Sequence, residues 1–142
     1  MTSATWERRS LFQSERMARL FVDVLASYRA KGKYLVHEFV LMPDHFHALL
    51  TLSPQTSLEK AMQLIKGGFS FRARKELGFA SEIWSRGFSD EFITSERDFR
   101  TRQLYIRQNA VRGGLARAPE EYPYGSAGAG VELDPMPEHL RG

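Results

Sequence analysis

Residues 34–52 have the sequence YLVHEFVLMPDHFHALLTL. Both halves are rich in β-branched and aromatic residues, and the Pro43-Asp44 pair between them is typical of a turn. The pattern predicts two antiparallel strands, 34–42 and 45–52, joined as a hairpin with both faces largely covered. The register is left open, because Pro43 has its φ fixed at about −65° and does not suit the usual two-residue hairpin turns.

Helices are predicted before and after this hairpin. Apolar residues recur at three- and four-residue steps across residues 14–31, and Gly32 follows as a stop. The second helix begins with a capping box of Thr56 and Glu59 and ends at Gly78, and a pair of glycines is expected to weaken it midway.

The remainder of the chain changes character twice. A short strand is predicted near residues 88–94, and Ser95 with Asp98 then starts a third helix by the same capping logic. From residue 119 onward Pro, Gly, Ala and acidic residues dominate, so we expect one domain over 1–126 and a disordered acidic tail over 127–142. The order of elements indicates a mixed α and β fold with at least one antiparallel pair of strands.

Length and composition exclude several classes of protein. With 142 residues, 42% of them hydrophobic and 26% charged, the chain has the composition of one globular domain. The absence of cysteine excludes a disulfide frame, a thiol nucleophile and cysteine-ligated zinc. No apolar run approaches the ~18 residues of a membrane span, and the first residues lack the apolar stretch of a signal peptide. We therefore expect a cytoplasmic protein with no membrane partner.

The charge is uneven along the chain. Residues 1–117 contain 19 basic and 12 acidic residues, whereas residues 118–142 contain one basic and five acidic residues. A basic body indicates a polyanionic partner such as nucleic acid, although many domains without one reach this charge.

Cations and aromatic residues alternate on and after the second helix, a mixture that suits unstacked nucleic-acid bases. The alternative is a solvated helix face beside ordinary core aromatics. The candidate DNA-binding cations are Lys66, Arg72, Arg74, Lys75 and Arg86, and the interleaved aromatics are Phe69, Phe71 and Trp84.

His45 and His47 are candidate metal ligands. Alternate residues of a strand point to the same side, so the two imidazoles lie roughly 7 Å apart along one face and can converge on one ion. In a tight hairpin, His37 is expected on the opposite face and Glu38 beside the pair. Two histidines do not fill a coordination shell, so a third ligand must come from elsewhere. The alternative is a pair of half-buried histidines with satisfied hydrogen bonds.

Tyr105 is a candidate nucleophile on the third helix. At ~100° per residue the buried stripe contains Phe99, Ile106 and Ala110, while Tyr105 lies on a polar face and has no packing reason to be there. Its neighbours on that face are Asp98, Arg102, Asn109 and Arg112. Tyr105 and Asn109, four residues apart, can address one small site. The alternative is a surface tyrosine that lies over its neighbours.

These candidates complement each other chemically. A phenol is a poor nucleophile at neutral pH without help. A divalent metal polarises a phosphodiester, and arginines hold the phosphate. Tyrosine, metal and arginine together suggest DNA strand transfer through a phosphotyrosine.

Two separated motifs resemble one known family. Residues 40–50, VLMPDHFHALL, resemble the histidine–hydrophobic–histidine (HUH) signature of the single-tyrosine transposases, and residues 105–115, YIRQNAVRGGL, resemble the tyrosine helix of their REP-associated branch. The segments between them, 58–66 and 84–88, agree in order and spacing, so the likeness covers roughly residues 2–126.

The resemblance implies a small α+β domain with a central antiparallel sheet flanked by helices. It implies that His45, His47 and Asn109 bind Mg²⁺ or Mn²⁺, and that Tyr105 attacks single-stranded DNA beside a hairpin to give a 5′-phosphotyrosine. Arg102 and Arg112 join the expected DNA contacts. A homodimer and a monomer are equally open. The alternative function is a domesticated protein that binds DNA hairpins without cleaving them.

The sequence departs from the family pattern in three places. Relatives usually begin with a full strand, whereas this chain starts at Met1, so the first strand is expected to be clipped. Ala110 stands where a proline is common, which should relax that end of the helix. The acidic tail gives no sign of an added DNA-binding module.

Overall fold

The structure is a computed structural model that describes residues 2–4 and 9–141. Its strands are β1 (Thr2–Ala4), β2 (Tyr34–Met42) and β3 (His45–Leu52). Its α-helices are α1 (Glu15–Ala30), α2 (Leu58–Leu77), α3 (Glu96–Arg107) and α4 (Asn109–Arg112). Single 3₁₀ turns occur at Leu11–Gln13, Pro119–Glu121 and Glu138–Leu140. Among the described helices, none has both the length and the apolar character that crossing a membrane requires.

The three strands form one antiparallel sheet in the order β1-β3-β2. Met42 pairs with His45, so Pro43 and Asp44 alone connect β2 to β3 and the predicted hairpin is confirmed. The strand expected to be clipped is three residues long and pairs Thr2 with His47. β3 is therefore hydrogen-bonded on both sides, and its side-chain alternation is fixed.

A β-bulge interrupts β2 between Val36 and Glu38. The inserted residue, His37, turns toward the face that α3 covers. There its Nε2 lies 2.7 Å from the Thr51 hydroxyl and its ring meets Phe99 edge-on at 5.2 Å. The prediction that His37 lies opposite the histidine pair is wrong, because an inserted residue breaks the two-residue period. Glu38 does lie on the face of the pair, opposite Leu49.

The sheet separates two cores. α1 and α2 cover one face, where Phe46 and Ala48 of β3 join an aromatic cluster that includes Phe21 and Phe69. α3 covers the other face through Phe99 and Ile106, which pack with Val40 and Leu49. Burial of a side chain such as Phe46, 1% exposed, contributes about 1.5–3 kcal/mol to folding. The core therefore fixes which face of β3 the histidines occupy.

α2 begins and continues differently from the prediction. Its N-cap is Ser57, whose hydroxyl accepts from the Lys60 N–H, while Thr56 is buried with its hydroxyl on Ser53. The helix is unbroken through the two glycines and ends at Gly78, whose φ of +68° suits glycine. Gly68 leaves room for α1, since a Cβ there would lie 2.8 Å from the Tyr28 hydroxyl and would displace that side chain.

The region after α2 also differs from the prediction. Residues 88–94 have one isolated bridge position, Ser89, and no strand is assigned to them. β-prone residues become a strand only where a neighbour offers consecutive backbone partners, and the described sheet ends at β1 and β2. α3 does begin at the predicted cap, where the Ser95 hydroxyl accepts from the Asp98 N–H.

The expected disordered tail has a defined path in this structure. Tyr124, Ser126 and Asp134 form backbone hydrogen bonds with the outer edge of β2, the side that β3 does not occupy. The Asp134 carboxylate also accepts from the Val36 N–H and from two nitrogens of Arg29, all at 2.8 Å. An edge strand offers unpaired donors and acceptors, and a polar, flexible segment can satisfy them. Composition alone therefore misjudged residues 127–141.

We expect Asp134→Ala to destabilise the protein by about 1.5–3 kcal/mol, because it removes charged hydrogen bonds and leaves a backbone N–H without its acceptor. The matched control is Glu132→Ala, which removes an exposed partner of the same Arg29 at 3.3 Å and should cost within about 0.5 kcal/mol. Urea unfolding measures both.

The effect of Asp134→Ala should also depend on pH. The Arg29 guanidinium holds the pKa of Asp134 below its ordinary value, so its contribution is complete above the unfolded pKa of about 3.9. It is lost as the pH falls through the lower folded value. The difference from wild type should therefore shrink below about pH 4. Equal effects of the two substitutions at neutral pH would contradict this role of Asp134.

Candidate functional site

β3 presents His45 and His47 on the α3 side of the sheet. Their ring centroids are 4.9 Å apart and the rings are nearly perpendicular, at 88°. Their sheet partners on the same face are Met42 and Val40. The alternation that buries Phe46 therefore brings two imidazoles together at the end of the hairpin.

Asp44 orients one of these rings. Its Oδ1 lies 2.6 Å from His45 Nδ1, and because an ionised carboxylate can only accept, Nδ1–H is the donor. The lone pair of the His45 imidazole is then on Nε2, the arrangement seen in most metal-bound histidines. Sequence reasoning used Asp44 only as a turn residue. The signal that could have identified it is an aspartate directly before a His-x-His pair.

His47 is neutral at physiological pH. Burial is the main cause that lowers the pKa of His47 to about 4, and the neighbouring His45 imidazole and the guanidinium groups of Arg102 and Arg112 lower it further. A neutral imidazole is the form that binds a cation. Among the described residues, no group of three or more His, Asp or Glu side chains is arranged to hold a metal ion.

α3 brings Tyr105 to the histidines. Its ring centroid is 5.7 Å from that of His47, at 83°, and the side chain is 40% exposed. Two guanidinium groups lie over the phenol ring, with the Arg102 Cζ at 5.5 Å and the Arg112 Cζ at 4.3 Å from the ring centroid. The structure therefore joins residues of β3, α3 and α4 in one site.

Asn109 begins α4 rather than continuing α3. The two helices are separated at Gln108, so Tyr105 and Asn109 lie on either side of a helix break. Arg112 bridges this break, because its Nη2 donates to the Tyr105 carbonyl at 2.7 Å. A cation at the end of a helix also interacts favourably with the helix dipole. Arg112 therefore both binds the Tyr105 carbonyl and lies over the Tyr105 ring.

A cavity of about 340 Å³ opens beside Tyr105 and His47. Its opposite wall is the loop 89–93, whose Glu91 forms an ion pair with Arg102. Lys66 of α2 holds the start of this loop, since its ammonium group donates to the carbonyls of Ser85 and Gly87 at 3.0 Å. The indole N–H of Trp84 in turn donates to the Lys66 carbonyl at 3.0 Å.

The other predicted DNA contacts on α2 have protein partners or lie on the far side of the sheet. Arg72 is paired with Asp23 at 2.7 Å and with Glu76 at 2.5 Å. Of the interleaved aromatics, Phe69 and Trp84 belong to the core and Phe71 is exposed. The exposed cations are Arg74, Lys75 and Arg86. Because α2 covers the sheet face opposite to α3, Arg74 and Lys75 lie in the helix layer remote from Tyr105, so only Arg102 and Arg112 of the predicted set surround the phenol.

Comparisons with known proteins identify the family to which the chain belongs. The profile of the family described as transposase, IS200-like, matches residues 2–109. A REP-associated tyrosine transposase of Haemophilus influenzae is 27% identical over 146 residues, which cover 90% of this chain and 82% of that protein.

Solved structures confirm the α+β fold. The structure of a REP-associated tyrosine transposase bound to a REP hairpin superposes with a TM-score of 0.73 at 19% identity, over 97% of this chain and 84% of that chain. The crystal structure of a transposase from Deinococcus radiodurans gives a TM-score of 0.55 at 22% identity, over 74% of this chain and 84% of that chain.

A buried carboxylate lies on the same sheet face as the site. Glu38 is 1% exposed, accepts a hydrogen bond from the Ser126 hydroxyl and has Arg107 Nη1 at 4.0 Å. Burial raises the pKa of Glu38 to about 7, against the lowering effects of Arg107 and of a hydrogen bond from Gln103. The Glu38 carboxylate thus connects β2, α3 and the segment after residue 122. The sequence did not indicate this role, because Glu38 lies among residues that favour β-strands.

We expect Glu38→Gln to change how stability depends on pH. The folded-state pKa of about 7 exceeds the ordinary glutamate value of about 4.3, so the folded protein binds more protons between these values. Wild-type stability should fall as the pH rises through that range, and the glutamine variant should lack this loss. Denaturant unfolding at pH 5 and pH 8 tests it. Glu121→Gln, which removes an exposed carboxylate, serves as the control. A difference between Glu38→Gln and wild type that is the same at both pH values would refute the assignment.

Proposed function

Because this chain belongs to the IS200-like transposase family, we propose that it is a REP-associated tyrosine transposase that cleaves and rejoins single-stranded DNA beside a hairpin. The observation that supports the chemistry best is the 5.7 Å approach of the Tyr105 ring to His47, under two guanidinium groups. A half-exposed phenol beside a histidine pair and two arginines contributes little to the packing of the core. The two arginines can instead bind a phosphate. The hairpin substrate rests on the relatives, one of which is bound to a REP hairpin.

We assign the metal site to His45, His47 and Asn109. The residues fit a divalent cation, because Asp44 leaves the lone pair of His45 on Nε2 and His47 is neutral at pH 7. Two imidazoles alone favour a softer ion, but phosphate oxygens of the substrate are the hard ligands that Mg²⁺ or Mn²⁺ prefers. When bound, such a cation polarises the phosphodiester and stabilises the charge that develops on it.

The residues of this chain then have distinct tasks. Tyr105 forms the new bond, from its hydroxyl oxygen to phosphorus, as the bond from phosphorus to the 3′ oxygen breaks. The phenol loses its proton and the leaving 3′ oxygen gains one, so the products are a 5′-phosphotyrosine and a free 3′-hydroxyl. Arg102 and Arg112 orient the phosphate. Attack by a 3′-hydroxyl on the phosphotyrosine reverses these steps and rejoins the strand.

Tyr105→Phe should abolish the covalent protein–DNA product and retain hairpin binding, because only the hydroxyl is removed. A denaturing gel of protein incubated with labelled hairpin oligonucleotides, with Mn²⁺ or with EDTA, measures the product. Tyr124→Phe is the control and should still give the product. A metal-dependent band in Tyr105→Phe would refute this nucleophile, and binding without any band in wild type would favour the domesticated, non-cleaving alternative.

Asp44→Asn should weaken Mn²⁺ binding about 10- to 100-fold, because the carboxylate that fixes the His45 tautomer is lost. Calorimetric titration of the protein with Mn²⁺ measures this directly. Asp23→Asn makes the same chemical change on the other side of the sheet and should leave the affinity unchanged. Equal Mn²⁺ affinity in Asp44→Asn and wild type would contradict the assigned orientation.

A further inference from the structure

A second cavity lies beside the one at Tyr105. It has a volume of about 260 Å³ and is lined mainly by apolar side chains, among them Leu52, Phe92 and Phe99. The two cavities share Leu49 and the loop residues Asp90, Glu91 and Ile93 in their walls, so they lie side by side. The far wall is the C-terminal segment, with Pro137, His139 and Leu140.

Phe92 lines this cavity and is unusually exposed to solvent. Among the large apolar side chains of the described residues it is the most exposed, at 82%. The neighbouring Glu91 is tied to α3 through Arg102, which fixes the position of the loop that carries Phe92. An exposed aromatic ring beside an apolar cavity offers a flat surface on which a planar ligand can stack.

We propose that this cavity takes one unstacked nucleobase of the DNA strand cleaved at Tyr105, with Phe92 as its stacking surface. The inference rests on the proposed function and adds a base-binding residue to it. The wall shared with the Tyr105 cavity places the base within the same short stretch of single strand as the scissile phosphate.

The charge of the cavity wall favours binding of a base over binding of the phosphate backbone of that strand. Asp90 on the shared wall repels a phosphate, and Glu91 is already paired with Arg102, whereas a neutral heterocycle is not repelled and can donate amine hydrogens to a carboxylate. The size agrees, since the volume is below the ~300–1,000 Å³ of typical small-molecule sites and suits one planar ring system. Stacking of a base on an aromatic side chain is tolerant of sequence, and its loss should weaken binding by about 5- to 100-fold.

The test compares hairpin oligonucleotides with and without a single-stranded flank, measured by fluorescence anisotropy at fixed salt. Phe92→Ala should lose about 5- to 100-fold in affinity for the flanked hairpin only. Phe71→Ala removes the other strongly exposed phenylalanine, 64% exposed on the remote helix layer, and should match wild type. Replacing flank nucleotides one at a time by abasic units should reveal one position that weakens wild type and leaves Phe92→Ala unaffected.

The outcomes separate this inference from the proposed function. Wild-type binding with a preference for the flank, unchanged by Phe92→Ala, overturns the base site and leaves the transposase assignment standing. Equal losses with and without the flank also overturn it. No flank preference and no Tyr105 product in wild type overturn both. A change of oligomeric state in Phe92→Ala, by light scattering, would make the patch a contact between copies and contradict the proposal.

Discussion

The central position of β3 is the constraint on which the rest of the structure depends. Because β3 is hydrogen-bonded to β1 and β2, its side chains can point only to one face of the sheet or the other. Phe46 points to the face that packs into the aromatic core. His45 and His47 must then point to the α3 side. A slip of one residue in the register would bury the histidines and expose the phenylalanine. The alternation of side chains along β3 therefore determines both the packing of the core and the geometry of the site.

The outer edge of β2 explains why the end of the chain belongs to the fold. β2 is the outer neighbour of β3, and the segment from Tyr124 to Asp134 supplies backbone and side-chain partners to that edge. The same segment meets Glu38 through Ser126 and Arg29 through Asp134. Stability and site architecture are therefore linked, because Glu38 and the histidine pair share one face of the sheet and residues 137–140 wall the second cavity.

The sequence predicted the features that depend on local patterns. Periodicity identified α1, the hairpin and the buried stripe of α3, and the cap at Ser95 was found because its signal is confined to four residues. The candidate site was predicted from two separate, recognisable motifs, and the structure brings His47 and Tyr105 of these motifs together. The bulge at His37, the edge pairing of Asp134 and the lack of a strand at 88–94 were missed, because each depends on what lies across the sheet rather than on neighbours in the chain. The cap at Ser57 was misplaced by one residue, since adjacent Thr and Ser offer the same chemistry.

The distribution of positive charge shows why a net surplus is a weak guide to a binding surface. Lys66 and Arg72 belong to the basic stretch of α2, yet the first holds a loop through two carbonyls and the second is neutralised by two carboxylates. Arg102 and Arg112, two of the five arginines between residues 97 and 112, are the pair that brackets the phenol. The spacing of an arginine from a tyrosine on one helix face therefore predicts a binding surface better than a cluster of cations does. The helix geometry fixes which groups such an arginine can reach. In the proposed function, Arg102 and Arg112 would hold the reacting phosphate, and the carboxylates of the cavity wall would disfavour a phosphate there.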